Sequence, residues 1–164
     1  MRTSKNNIVC LGIDPGLARV GYGAVMQSGF KLQALNYGCI ETKPDMNFTE
    51  RLLKIYNDLQ EQIKICEPDL ISVERLFFGR NTTTAEFVYQ ARGVVMLAAA
   101  QNNLKVVEPK PNQIKLALCG TGTAVKTQVQ GMVQRFLALK EIPRPDDTAD
   151  ALAAAITGLA LINS

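Results

Sequence analysis

Apolar runs separated by short turns dominate the first forty residues of the chain. The runs Ile8 to Asp14, Val20 to Gln27 and Lys31 to Thr42 have the length and residue types of β-strands. The loop at Pro15-Gly16 and a turn at Ser28-Gly29 join them. Connections this short predict an antiparallel meander of three strands.

Helical and strand patterns alternate along the rest of the chain. Leu52, Leu59 and Ile63 recur at helical spacing and predict a helix capped by Thr49. It leads into a buried strand that begins at Leu70 and ends at Glu74. Further elements are predicted at Thr82–Asn102 (helix), Lys105–Glu108 (strand), Asn112–Cys119, Val125–Leu139 and Thr148–Ile162 (helices). This order of elements predicts an α/β fold.

The helix predicted from Thr82 to Asn102 is apolar over most of its circumference. Its apolar positions include Phe87, Val94 and Leu97. Such a helix is either central to a core or shared with a second subunit. Self-association is therefore one hypothesis for this chain.

Composition predicts an ordinary globular protein with one domain over residues 1–164. Of the 164 residues, 47% are apolar and 20% are charged. The longest uncharged tract of the chain runs from Ala151 to Ser164. It holds only 14 residues, which is too short for a membrane span. No secretory signal pattern follows the first residues, so we expect a cytoplasmic protein. The four scattered cysteines form no C-x-x-C pair, and the chain has no histidine to complete a zinc site.

Charge is unevenly distributed although the net charge is only +3. No acidic residue occurs from Pro109 to Lys140. The basic residues of that stretch are Lys110, Lys115, Lys126, Arg135 and Lys140. The segment is either a solvated helix face or a surface that follows a nucleic-acid phosphate backbone.

Four acidic residues carry the candidate chemistry. Asp14 closes the first apolar run, and Glu74 closes the run that begins at Leu70. Asp147 and Asp150 are three positions apart at the start of the last helix, and this spacing puts both on one helix face. If the two strands are neighbours and that helix packs beside them, the four carboxylates converge.

Converging carboxylates need a cation, because each raises the pKa of the others. Mg²⁺ or Mn²⁺ takes hard oxygen ligands and needs no histidine. Two such ions clamp the attacking and leaving oxygens of a phosphodiester, so the cluster indicates metal-assisted phosphodiester hydrolysis. Taken singly, Asp14 is also an ordinary turn residue before Pro-Gly, and Asp147 and Asp150 are also ordinary acids of a helix N-terminus.

The segment from Gly120 to Thr127 comes close to the phosphate-binding loop pattern G-x-x-x-x-G-K-[ST]. Val125 stands where the second glycine is required, and no strand immediately precedes the segment. A nucleotide-binding P-loop is therefore rejected. A glycine-rich loop that presents Lys126 to a phosphate is still open.

In the order of its elements and the positions of its acids, the chain resembles the ribonuclease H-like fold. Within that fold it is similar to the RuvC family of crossover (Holliday) junction endodeoxyribonucleases. The matching stretches are Leu11-Gly12-Ile13-Asp14-Pro15-Gly16, Gly21-Tyr22-Gly23, Val73-Glu74-Arg75-Leu76-Phe77-Phe78, Gln90-Ala91-Arg92-Gly93 and Asp147-Thr148-Ala149-Asp150-Ala151-Leu152. The resemblance implies a five-stranded mixed sheet, three strands antiparallel and two parallel, flanked by helices.

The resemblance also implies roles for individual residues. Asp14, Glu74, Asp147 and Asp150 match the family's catalytic metal ligands, with Asp147 chosen over Asp146 by its spacing to Asp150. They imply Mg²⁺ or Mn²⁺ as cofactor, with two ions per site. Residues expected to contact DNA are Phe77, Lys115 and Lys126.

Family members act as homodimers that nick two opposed strands of a four-way DNA junction, and they cooperate with a branch-migration motor. The resemblance implies the same partners here, in recombination and DNA repair. Three alternatives stay open at this point. They are a ribonuclease H-like nuclease acting on other branched or RNA-containing substrates, a non-catalytic junction-binding protein, and a sugar-kinase-like ATPase, which normally needs a second domain.

Overall fold

The structure, a computed structural model, describes residues 7–75 and 82–162. The strands within these residues are β1 (Asn7–Asp14), β2 (Arg19–Ser28), β3 (Lys31–Glu41), β4 (Leu70–Val73) and β5 (Lys105–Val107). The helices are α1 (Phe48–Cys66), α2 (Thr82–Gln101), α3 (Pro111–Cys119), α4 (Lys126–Phe136) and α5 (Asp146–Ile162).

The strands form one mixed sheet in the order β3-β2-β1-β4-β5. The first three strands pair antiparallel, as the short turns between them require. β4 then pairs parallel to β1, and β5 parallel to β4, on the other side. The predicted five-stranded sheet, with three antiparallel strands and two parallel ones, is confirmed.

Helices cover both faces of the sheet. Alternate residues of each buried strand point to opposite faces, so one strand contributes to two cores. Leu11 and Ile13 of β1 pack in one core with residues of α1 and α2, including Leu59 and Val95. Cys10 directly precedes Leu11, so it points to the other face and belongs to a second core formed with α3, α4 and α5. The central strand is therefore buried on both faces, which explains its nearly continuous apolar run.

α5 lies unusually close to the sheet, and glycines make the approach possible. A Cβ atom at Gly12 would clash with the backbone of Ala151, and one at Gly21 would clash with the backbone of Asp147. The facing residues of α5 are mostly alanines, so the helix axis comes near the strands. This close packing brings the first turns of α5 to the C-terminal end of β1.

Several element boundaries differ from the sequence prediction by one to three residues; α5, for example, begins at Asp146 and not at Thr148. The reason is visible at two of them. α1 begins at Phe48 and not after Thr49, because Asn47 precedes it and its N–H donates to Glu50 Oε2 at 3.2 Å, in the N-x-x-E pattern of a capping box. α4 ends at Phe136, three residues before the predicted Leu139, and Ala138 just beyond it has a positive φ of 50°.

Within residues 7–75 and 82–162, no helix combines the length and apolar character needed to cross a membrane.

Candidate active site

Asp14 and Glu74 meet at one edge of the sheet because β1 and β4 are parallel neighbours. Ile13 is aligned with Val73 in the strand register, so the two acids that follow them leave the sheet side by side. Asp14 is the last residue of β1, and Glu74 comes directly after β4. The sequence prediction placed both acids at strand ends, and the topology brings those two ends together.

α5 adds two more acids to the same edge. Gly21 is the cross-strand partner of Asp14, and the backbone of Asp147 lies directly against Gly21. The hydroxyl of Thr148 donates to the carbonyl oxygen of Gly38 at 3.1 Å and ties this turn of the helix to β3. Asp150 follows on the same helix face and also acts electrostatically on Asp14.

Burial, reinforced by mutual repulsion, raises the pKa values of three acids at this edge. Burial raises the pKa of Asp14 to about 7, with further upward contributions from Asp150, Asp147 and Glu74, in that order. Burial, followed by the charge of Asp150, also raises the pKa of Glu74. Asp150 behaves in the same way, since burial raises its pKa against the opposing hydrogen bond from Lys126. The cluster thus lacks positive charge.

Two lysines supply part of that charge. The Nζ atom of Lys126 lies 2.9 Å from Asp150 Oδ2 and 3.6 Å from Asp146 Oδ2. Lys115 is close enough to Glu74 to lower the pKa of that carboxyl against the other contributions. Lys126 and Lys115 are the lysines that the sequence analysis selected as DNA contacts, and both lie beside the acids.

A pocket of about 220 Å³ opens between these groups. Its lining combines two carboxylates and two ammonium groups with apolar side chains. The lining residues are Glu74, Lys115, Lys126, Asp150, Pro111, Ile114, Val129 and Ala153. A phosphate with its attached sugar has this mixed character, anionic on one side and apolar on the other.

Sequence reasoning missed two further cationic residues at the site, Arg19 and Arg144. Arg19 Nη1 lies 3.9 Å from Asp147 Oδ2, and Arg19 Nε lies 3.6 Å from Glu41 Oε1. Arg144 forms an ion pair with Asp146. The contact of Arg19 with Glu41 depends on the register of β2 with β3, and its contact with Asp147 depends on the docking of α5, so no local pattern signals either.

Asp146 differs from the other acids because its charge is paired on two sides. Asp14 is affected by Asp147, Asp150 and Glu74, whereas Asp146 faces Lys126 and Arg144. Desolvation works against ionisation of Asp146, but Lys126 and Arg144 outweigh it and hold the pKa of its carboxyl below the ordinary value. Phe77, the remaining predicted site residue, lies outside the described residues.

The chemistry of this donor set fits a hard divalent cation. Its members are carboxylate oxygens, and burial together with their mutual repulsion raises the pKa of Asp14, which a bound cation would oppose. As the side chains stand in the described part of the chain, no three acidic or thiol groups are arranged to hold one ion. Lys126 contributes a positive charge at Asp150 instead.

A mixed sheet of this strand order, with acids at the ends of β1 and β4 and on a closing helix, defines a protein of the ribonuclease H-like class. Residues 10–158 match the family described as Crossover junction endodeoxyribonuclease RuvC. The chain therefore belongs to the RuvC family.

Individual relatives agree with this assignment. The RuvC of Desulfitobacterium hafniense is 52% identical over 149 residues, which cover 91% of this chain and 90% of the relative. The RuvC of Treponema denticola is 48% identical over 161 residues, which cover 97% of this chain and 90% of the relative. The structure of T. thermophilus RuvC in complex with a Holliday junction substrate superposes with a TM-score of 0.89 at 36% identity and covers 94% of each chain.

Proposed function

We propose that this protein is a structure-selective endonuclease that resolves four-way DNA junctions by paired, metal-dependent phosphodiester hydrolysis. The observation that carries the proposal is the convergence of Asp14, Glu74, Asp147 and Asp150 from three separate elements on one edge of the sheet. The similarity to T. thermophilus RuvC, whose structure contains a Holliday junction, supports the choice of substrate.

The four acids would hold Mg²⁺ or Mn²⁺, two ions per site. When bound, these ions supply Lewis-acid stabilisation of the phosphate and lower the pKa of the attacking water. Asp14 lies between Glu74 of β4 and the two acids of α5, so it is the residue best placed to serve both ions. Its carboxyl must be ionised for this role, and a cation favours that form.

Lys115 and Lys126 would bind the phosphate that enters the pocket beside the acids. Each lines this pocket together with apolar side chains. In a partly dehydrated pocket, ammonium groups stabilise negative charge that develops on the phosphate oxygens. Phe77 is proposed, on family resemblance, to contact bases at the junction centre.

We further propose that the enzyme acts as a homodimer, with one active site for each of the two nicked strands. α2 buries Ala91, Val95 and Ala98 against the sheet, and it still exposes Phe87 and Leu97, whose relative exposures are 40% and 53%. A two-fold dimer matches the approximate two-fold symmetry of a four-way junction. Sedimentation equilibrium at micromolar concentration tests this, and a monomer would contradict it.

The remaining proposals concern the setting of the enzyme. Residues 1–164 are proposed to form one nuclease domain, which is supported by a single sheet shared between both cores. The proposed setting is the cytoplasm, in recombination and DNA repair, in cooperation with a branch-migration motor. The four cysteines are free thiols, as expected in a reducing compartment.

The decisive experiment compares a synthetic four-way junction with linear duplex of the same sequence, in Mg²⁺ and in EDTA. Wild type should make paired nicks in the junction only, and only with Mg²⁺. Asp14→Asn should bind the junction but not cut it, since it removes a metal ligand and leaves Lys115 and Lys126 in place. Asp58→Asn, which removes an acid paired with Lys54 on the surface of α1, is the matched control and should cut normally.

Junction binding without cleavage in Mg²⁺ or Mn²⁺ would identify a junction-binding protein instead. Equal cutting of junction and duplex would contradict structure selectivity. Cleavage by Asp14→Asn at the wild-type rate would show that the acids have been assigned wrongly.

A further inference from the structure

We propose that Asp146 is a positioning residue for Lys126. Asp146 keeps the Lys126 ammonium beside the active site, and it makes the ammonium easier to displace from Asp150 when a divalent cation binds. The inference rests on the proposed function, because it assumes that Asp150 is a metal ligand. It assigns Asp146 a role different from that of the neighbouring Asp147.

Lys126 is shared between two carboxylates on one face of α5. Asp146 and Asp150 are four residues apart, so they lie one helical turn from each other. The Lys126 ammonium is 2.9 Å from the nearer oxygen of Asp150 and 3.6 Å from that of Asp146. Lys126 is the first residue of α4, and α4 packs against α5 through the core, so the ammonium enters from a fixed backbone position.

Asp146 is itself held in place from the other side. Its Oδ1 atom pairs with Arg144, while Oδ2 faces Lys126. The side chain of Gln130, buried one turn beyond Lys126 on α4, is close enough to the Asp146 carboxylate to favour its ionised form. Asp146 thus links α4 to the first turn of α5 and offers one oxygen to Lys126.

Metal binding and the close Lys126–Asp150 contact compete for the same carboxylate. A lysine without a second partner would have to give up its ion pair completely when Asp150 takes a cation. Here the second partner is already 3.6 Å away, so a short movement of the ammonium transfers the ion pair from Asp150 to Asp146. Asp146 therefore lowers the cost of metal binding at Asp150 without touching the metal.

The test measures Mn²⁺ binding to metal-free enzyme by titration calorimetry, without DNA and at fixed salt. The four proteins are wild type, Asp146→Asn, Lys126→Gln and the double variant. The effect of Asp146→Asn on Mn²⁺ affinity is compared with and without Lys126, and the difference is the part that passes through Lys126. We expect Asp146→Asn to weaken Mn²⁺ binding about threefold, the size typical of a partly exposed ion pair. Lys126→Gln should tighten Mn²⁺ binding, and adding Asp146→Asn to it should then change little.

Controls separate this role from a general effect of charge. Asp146→Glu keeps the carboxylate and should restore Mn²⁺ affinity, whereas Asp58→Asn, which removes an acid from an Asp–Lys pair on α1, should leave it unchanged. Urea unfolding of each variant in EDTA checks that the fold is intact. If Asp146→Asn weakens Mn²⁺ binding equally with and without Lys126, Asp146 acts on the metal directly and the positioning role is overturned.

Failure of the inference is distinguishable from failure of the proposed function. A wild-type enzyme that binds Mn²⁺ and cuts the junction, with an Asp146→Asn variant of the same Mn²⁺ affinity, overturns the positioning role alone. A wild-type protein that neither binds Mn²⁺ nor cuts the junction overturns both.

Discussion

Replacing Asp14 by Asn should stabilise the metal-free protein while abolishing cleavage. Burial and three neighbouring acids raise the pKa of Asp14 from 3.8 to about 7. Above that pH the folded protein must carry an ionised Asp14 that its surroundings disfavour, whereas the unfolded chain ionises it freely. Asn has a similar shape and no charge, so this cost disappears in the variant.

The size of the effect follows from the pKa. Each unit of pKa difference between the folded and unfolded states corresponds to about 1.4 kcal/mol in the free energy of unfolding. The full rise in the pKa of Asp14 is therefore worth about 4 kcal/mol at most. Because the pKa of Asp14 is raised in the folded state, the neutral carboxyl costs wild type no stability below about pH 4. Wild type then loses stability as the pH rises towards 7 and the carboxyl must ionise. The advantage of Asp14→Asn should therefore grow between pH 4 and 7 and then level off.

Urea unfolding in EDTA at pH 5 and pH 8.5, at one protein concentration, measures this difference. We expect Asp14→Asn to exceed wild type by about 2–4 kcal/mol at pH 8.5 and by clearly less at pH 5. Mg²⁺ should narrow the gap at pH 8.5, because it binds folded wild type more tightly than the variant. A variant no more stable than wild type at pH 8.5, or an advantage that is equal at both pH values, would refute the electrostatic account of the site.

Three other substitutions test how the site is held together. Gly21→Ala places a methyl group against the backbone of Asp147; it should cost about 1–3 kcal/mol in urea unfolding and lower kcat at least tenfold, and an unchanged kcat would show that the position of α5 is not critical. Thr148→Val removes the hydrogen bond to Gly38 and should cost about 1–2 kcal/mol, with wild-type stability contradicting a role in docking α5. Lys115→Gln should raise the KM for the junction severalfold and leave the urea midpoint unchanged, and an unchanged KM would remove Lys115 from the phosphate site.

Local sequence pattern predicted most of the secondary structure, because strand and helix periodicities depend on near neighbours. The errors are confined to element ends. Thr49 was taken as the cap of α1 because it is a good capping residue, but Asn47 with Glu50 makes the better capping pair. α4 was extended to Leu139, and the positive φ of Ala138 lies just beyond its actual end.

The four acids could be selected from sequence by their combination: two stand at strand ends, and two share one face of the last helix. A carboxylate at the end of a buried strand, as at Asp14 and Glu74, needs a partner that the strand itself does not provide. Their meeting required that β1 and β4 be parallel neighbours, which the residue pattern left as a condition and the structure meets. The positively charged side of the site was only partly visible, as lysines in a segment without acids.

What the sequence by itself determined is which chemical groups stand at strand ends and on helix faces, since spacing along the chain sets those positions. What only the tertiary structure decided is the distances between them. Gly12 and Gly21 let α5 approach the sheet until Asp147 lies beside the strand pair that holds Asp14, and that docking also brings Lys126 and Arg19 to the acids of α5. Electrostatic energy depends on separation and burial, and both arise only when elements distant in sequence pack together.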